Sequence, residues 1–235
     1  MNKIIDPNNR YTDMQKGWYK PGTNNHEQHN DNSDYWDILL KDLKDKQIWQ
    51  GKNALDFGCG KGRNVTNMFS LCDFNTVDGV DLSEGNIQYC KDTYLSQNST
   101  WFLNNGVDLQ NLQSSYYDFV MSTIVYQHIA VYDIRRSLTE EIYRVLKPGG
   151  IFSLQCTIGE PEVIQTDQGI KHRVGYYDND WDAKGTNSFH DHRVQDSSQI
   201  VDDFGDIGFH TFTFHTKPSY KDFVNKHWLY VRCIK

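Results

Sequence analysis

The residues of this 235-residue chain best suited to chemistry gather around three glycines. Leu55-Asp56-Phe57 runs into Gly58-Cys59-Gly60-Lys61-Gly62, so glycines at i, i+2 and i+4 follow an apolar run. Lacking Cβ atoms, they permit a tight turn and let a ligand approach the backbone at the start of the next helix. The dinucleotide spacing G-x-G-x-x-G fails, because Arg63 stands five positions after Gly58, and no Gly-Lys-Ser/Thr follows to make a phosphate loop. Downstream, Asp81 ends the run Gly79-Val80-Asp81 ahead of Leu82-Ser83. A carboxylate at such a strand end can accept from both ribose hydroxyls, each charge-assisted bond worth roughly 1.5–3 kcal/mol. Glycine turn and ribose acid together point to an adenosine-type ligand without a pyrophosphate.

Histidines supply the remaining reactive groups. His128 lies in Tyr126-Gln127-His128-Ile129, just past an apolar run. Histidine titrates near neutrality, which suits proton removal from an acceptor, and the alternative reading is a cap on the following helix or a bond to a neighbouring loop. His190-Asp191-His192 reads either as a metal or substrate site or as a solvated loop. His26-x-x-His29 sits in an Asn-rich stretch with no cysteine partner, so no zinc site is expected there. The five cysteines form no Cys-x-x-Cys pair and read as free thiols in a reducing cytoplasm.

These groups need elements to hold them. Residues 1–32 show no period and read as an irregular arm, with Tyr11, Trp18 and Tyr19 as a lid or as packing on the first helix. From Ser33, Trp36, Leu39, Leu40 and Leu43 give a helix face. Strands are expected at 53–57, 76–81, 100–103, 117–121 and 150–155, alternating with helices through 133–146, where Lys147-Pro148-Gly149-Gly150 stops the last one. Such alternation implies right-handed crossovers and a parallel, doubly wound sheet. Residues 156–196 break the rhythm with eight acids, four bases and three histidines, and read as an insertion too short for its own core. A helix at 197–206 and strands at 209–216 and 227–234 follow, and the short connection makes that last pair antiparallel. Asp118 reads as a structural acid at a strand start.

In order and spacing, four segments between residues 50 and 155 resemble the class I S-adenosylmethionine-dependent methyltransferases. Asp56–Gly62 resembles their first motif, Gly79–Ser83 the ribose-binding motif, Tyr117–Ser122 the fourth strand, and Arg144–Gly150 the turn into the fifth. The resemblance implies a Rossmann-like seven-stranded, mostly parallel sheet of order 3-2-1-4-5-7-6, with strand 7 antiparallel and helices on both faces. The chain reads as a single methyltransferase domain made of an arm or lid (1–32), a cofactor-binding core (33–155), a substrate-side insertion (156–196), and a last helix with terminal hairpin (197–235), of which the resemblance does not cover 1–32 or 156–196. S-adenosylmethionine is the implied cofactor and S-adenosylhomocysteine the product. Asp56, Gly58 and Gly60 would hold its methionine end and Asp81 its ribose. Leu82 would flank the adenine, Asn105 and Gly106 would read its edge, and Ser122 would line the sulfonium side. His128 would face the methyl pocket.

Composition narrows the acceptor. A net charge of −7 disfavours nucleic acid, whose binding depends on cationic side chains, and no apolar run approaches the roughly 18 residues of a membrane span. Ser122-Thr123-Ile124-Val125 differs from the Pro-Pro-aromatic motif of exocyclic-amine nucleic-acid methylation, and no Pro-Cys pair exists for attack on a pyrimidine carbon. A cytoplasmic enzyme is expected, moving a methyl group to an oxygen or nitrogen of a small polar metabolite such as a sugar, a nucleotide-linked sugar or an amine. Its rivals are a catalytically inactive cofactor-binding partner subunit and a nicotinamide-dependent oxidoreductase or epimerase, which Arg63 counts against.

Overall fold

The computed structural model describes residues 12, 13, 16, 33–40, 46–95, 97–166, 169–179, 188–218 and 227–235. Ser33–Leu39 forms α1 and Lys46–Trp49 forms α2. Strands β1 (Asn53–Phe57) and β2 (Thr76–Asp81) flank α3 (Arg63–Leu71), and α4 (Glu84–Thr93) leads to β3 (Trp101–Leu103) and β4 (Tyr117–Ser122). A 3-10 turn at Tyr126–His128 precedes α5 (Tyr132–Val145) and β5 (Leu146–Ile158). Then come β6 (Glu162–Thr166), β7 (Gly169–Val174), β8 (Ser188–His192), α6 (Ser198–Ile207), β9 (His210–Pro218) and β10 (His227–Ile234).

The main sheet has seven strands in the order β3-β2-β1-β4-β5-β10-β9. Strands β1 to β5 pair in parallel, while β10 runs antiparallel to both β5 and β9. This is the expected order and sense, with β9 and β10 as the sixth and seventh strands in sequence. Alternation splits each central strand between two cores, as a sheet covered on both faces requires. Leu55 and Val120 face Ile134, Leu138, Ile142 and Phe204 of α5 and α6, whereas Ala54 and Phe119 face Trp36, Leu39, Val65 and Met68 of α1 and α3. Each fully buried side chain of this kind contributes about 1.5–3 kcal/mol. Among the described residues, no helix is long and apolar enough to cross a membrane.

Two boundaries differ from expectation. Strand β5 starts at Leu146 and runs to Ile158, because Leu146 already pairs with Tyr117 before the register shifts and Ile151 pairs with Phe119. Gly149, at φ 77, carries the bulge, and its amide donates to the Lys235 carbonyl at 2.8 Å. The Pro-Gly-Gly turn therefore kinks a strand already begun. Residues 156–196, expected as a loop-like insertion, carry a three-stranded sheet in the order β6-β7-β8. Val194 bridges Ile158 in parallel, and its amide donates to the Thr157 carbonyl at 3.1 Å, so the small sheet is attached to the C-terminal end of β5. Its strands were hidden because polar and apolar residues there alternate without a wholly apolar face. Asp118 accepts from the Asn53 amide (3.0 Å) and Lys147 (2.7 Å) at the N-terminal edge of the sheet, consistent with a structural acid.

Candidate functional site

The carboxyl ends of β1, β2 and β4 converge on the glycine turn. Gly58 and Cys59 donate to the Val80 carbonyl at 2.8 and 3.0 Å, and the Gly62 amide donates to Cys59 at 2.9 Å, which fixes the turn against β2. Gly58 (φ 77) needs its left-handed backbone, and a Cβ there would overlap the Val125 side chain. Gly60 (φ 52) differs, since a Cβ built on it meets no atom within 4 Å. Space therefore opens beside Gly60 at the mouth of the strand ends, where open α/β sheets bind ligands.

Asp81 sits on the edge of that space, buried at 7% exposure. One carboxylate oxygen accepts from the Gly60 amide at 2.8 Å and the other from the Ser83 amide at 2.8 Å, with Asn86 Nδ2 at 3.5 Å. A carboxylate offers about four lone-pair directions, so sites remain for incoming hydroxyls. Burial pushes its carboxyl above the usual range, against the lowering effect of the Ser83 and Gly60 amides.

Asp56 lies deeper, fully buried on β1. Its Oδ1 accepts from Asn64 Nδ2 at 3.3 Å, and the same amide reaches Thr123 Oγ1 at 2.9 Å, so Asn64 ties β1 to the end of β4. Asp56 Oδ2 and Ser122 Oγ have no hydrogen-bond partner among the described atoms. Burial pushes the Asp56 carboxyl up to about 7, with Asn64 and Arg63 pulling the other way. The native state thus keeps a proton that the unfolded chain releases near pH 4, and native stability falls as pH rises through that window. Asp56→Asn is therefore expected to gain melting temperature relative to wild type between about pH 4 and 7, with the difference level above it. A pH-independent difference in scanning calorimetry would refute the assignment.

Leu82 and Gly106 come together after β2 and β3: a Cβ on Gly106 (φ 88) would lie 3.2 Å from Leu82 Cδ1 and 2.9 Å from Thr12 Cγ2. Thr12 is buried, so one described residue of the N-terminal arm closes on the expected adenine position. Tyr11, Trp18, Tyr19, His26, His29 and Trp181 lie outside the described residues. Asn105 is exposed, and its Oδ1 accepts from the Val107 and Asp108 amides, both at 2.9 Å. Its carbonyl therefore caps a turn.

Beyond β4 the backbone is strained. Ile124 has φ 55, rare for a β-branched residue, and delivers the chain into the 3-10 turn that carries His128. His128 Nδ1 lies 2.7 Å from Asp191 Oδ1, with the imidazole 31% exposed and the carboxylate 4%. The His190-Asp191-His192 run is thus no solvated face: Asp191 and His192 are buried. His192 packs edge-on against Tyr126 and Tyr176, and burial pushes its imidazole well below the usual range. Sequence reading missed Asp191 as a partner of His128 because 63 positions separate them, and missed Asn64 and Thr123 because a single Asn or Thr beside a motif carries no spacing signal. The five cysteines are buried, and none is joined in a disulfide.

The residues present fit S-adenosylmethionine. Asp56 Oδ2 is an orphaned acceptor suited to an ammonium group, Ser122 Oγ at the end of β4 likewise has no partner among the described atoms, and a Cβ built on Gly60 meets no atom within 4 Å, so the backbone there is open to a ligand. Sheet order, glycine turn and strand-end acid together define the class I S-adenosylmethionine-dependent methyltransferase fold. Within it, residues 55–154 match a family model described as a methyltransferase domain.

A solved S-adenosylmethionine-dependent methyltransferase from Mesorhizobium loti superposes with a TM-score of 0.60 at 18% identity, covering 85% of this chain and 97% of that one. The Burkholderia thailandensis 1,6-didemethyltoxoflavin-N1-methyltransferase, solved with 1,6-didemethyltoxoflavin and S-adenosylhomocysteine, reaches a TM-score of 0.62 at 13% identity over 96% of this chain and 88% of that one. In sequence, the 235L protein of Invertebrate iridescent virus 6, named as a methyltransferase, is 36% identical over 64 residues. That match spans 27% of this chain and about a quarter (24%) of the viral protein.

Proposed function

We propose that the protein transfers a methyl group from S-adenosylmethionine to an oxygen or nitrogen of a small polar metabolite, with His128 as the base. The observation that carries this reading is the open space at Gly60, edged by the Asp81 carboxylate, at the carboxyl ends of the same sheet in which the strained Ile124 links β4 to the turn carrying His128. When bound, S-adenosylmethionine supplies an electrophilic methyl group on a sulfonium. Asp56, Gly58 and Gly60 hold its amino-acid end, Asp81 its ribose, Leu82 and Gly106 its adenine, and Ser122 the side nearest β4. Asn105, its Oδ1 engaged by its own turn, contributes at most its amide nitrogen to the adenine edge.

Displacement at a methyl carbon is in-line, so most of the acceleration comes from alignment, and an acceptor hydroxyl also needs its proton removed. His128 receives that proton. A small acceptor is supported by the attachment of the β6-β7-β8 sheet to the end of β5, and by the polar groups it buries there, Arg173, Asp191 and Arg193. The 1,6-didemethyltoxoflavin-N1-methyltransferase shares this architecture, and 1,6-didemethyltoxoflavin is the acceptor in its name.

Incubation with methyl-tritiated S-adenosylmethionine and a fractionated small-metabolite extract is expected to move label into a low-molecular-mass fraction. Tight S-adenosylhomocysteine binding without transfer to any fraction would instead favour a cofactor-binding subunit that acts through a partner.

A further inference from the structure

We infer that Asp191, brought in by the third strand of the inserted sheet, is the positioning residue that fixes His128 in its Nδ1–H tautomer and commits the site to an acceptor hydroxyl. This rests on the reading of His128 as the base. Asp191 is 3% exposed, and its Oδ1 stands 2.7 Å from Nδ1. An ionised carboxylate only accepts, so the hydrogen of that bond belongs to Nδ1 and the lone pair falls on Nε2. The other side of the ring agrees: the Gln127 amide nitrogen, a donor, lies 3.5 Å from Nε2. The ring itself is partly open while the acid behind it is closed off. Cationic residues flank the acid, Arg173 in register with it on β7 and Arg193 two positions on, both buried. Arg173 donates through Nη1 to Glu162, so Glu162, Arg173 and Asp191 follow one another on the same face of three strands and end at His128.

The chemical consequence is an oriented base. As the acceptor oxygen bonds to the methyl carbon, the carbon–sulfur bond breaks with its electron pair kept on sulfur. The hydroxyl proton moves to Nε2, and the resulting imidazolium is balanced by the Asp191 carboxylate until Nε2 returns the proton to solvent. A neutral amine acceptor needs placement and desolvation more than a base, so a buried acid devoted to one imidazole nitrogen favours oxygen over nitrogen. The insertion, on this account, completes the base as well as covering the acceptor.

The test begins without an acceptor. Nitrogen-15 spectra of [15N]histidine-labelled protein saturated with S-adenosylhomocysteine, with His128 assigned by its absence in His128→Gln, are expected to show the Nδ1–H tautomer in the neutral ring. Asp191→Asn, whose amide can donate to Nδ1, is expected to shift the ring towards Nε2–H, and Asp191→Glu to restore part of the wild-type signal. The Nε2–H tautomer in the wild-type protein overturns the proposal whether or not any variant folds, and so does an unchanged spectrum in a folded Asp191→Asn. With the labelled fraction found in the transfer assay as acceptor, Asp191→Asn is expected to lower kcat at least about 100-fold with unchanged S-adenosylhomocysteine affinity. A wild-type kcat also overturns it. Because the spectra need no acceptor, failure of the dyad and failure of methyl transfer give different results.

Discussion

Asp81→Ala is expected to weaken S-adenosylmethionine binding at least tenfold in titration calorimetry. The carboxylate has two tasks, and alanine removes both. It offers its remaining lone pairs to the ribose, each charge-assisted bond worth roughly 1.5–3 kcal/mol, where about 1.4 kcal/mol is a factor of ten. It also pins the Gly60 and Ser83 amides at 2.8 Å each, so its loss releases the turn that shapes the cradle. Burial raises the carboxyl above its usual range, while the Ser83 and Gly60 amides that it accepts from pull the other way. Gly60→Ala separates the two tasks. Its Cβ has no neighbour within 4 Å, so the fold bears only the backbone cost of a non-glycine at φ 52, about 1–2 kcal/mol, while the methyl projects into the ligand's space. Affinity should fall in both variants. Unchanged affinity in Asp81→Ala refutes the ribose assignment.

His128→Ala is expected to lower kcat by roughly 10²–10⁴, the usual range for a positioned acid or base, with S-adenosylhomocysteine affinity unchanged. The side chain lies on a short 3-10 turn and is 31% exposed, so little packing is lost with it. Truncation leaves the buried Asp191 carboxylate without its closest partner, and a modest drop in melting temperature should accompany the kinetic effect. The alternative role, a cap on α5, fares poorly in the structure. The N-terminal residue Val131 caps α5 without a side-chain bond, and the Asp133 amide is met by Asn179 Oδ1 at 2.8 Å. Near wild-type turnover in His128→Ala, on the acceptor identified by label transfer, would remove the base.

Both predictions concern a fold whose plan is written in local pattern. Strands buried on both faces between amphipathic helices leave few arrangements open to a chain, and the glycine turn, Asp81 and the Pro-Gly-Gly kink fall at fixed places along it. Ala54 beside Leu55 and Phe119 beside Val120 show how alternation assigns two cores without tertiary information. Gly58, Gly60 and Asp81 stood out in the sequence for the same reason, each lying at a strand end within a local signal, whereas Leu82 and Gly106 were singled out only by the resemblance.

What the sequence determined by itself was a parallel, doubly wound sheet and the glycine turn at its carboxyl ends, because these follow from short-range periodicity and from glycine positions, while the strand order came with the resemblance to the methyltransferase family. Tertiary structure alone decided the surroundings of His128. Whether that ring is a cap, a loop contact or half of a dyad depends on a carboxylate 63 residues away, carried by a small sheet whose mixed polar strands give no periodic signal. For the His190-Asp191-His192 run, the solvated-loop alternative rested on charge in an irregular segment usually being exposed. Parallel pairing of β7 with β8, and of Val194 with Ile158, buries Asp191 and His192 instead, since a strand docked on the end of β5 must turn some of its side chains inward.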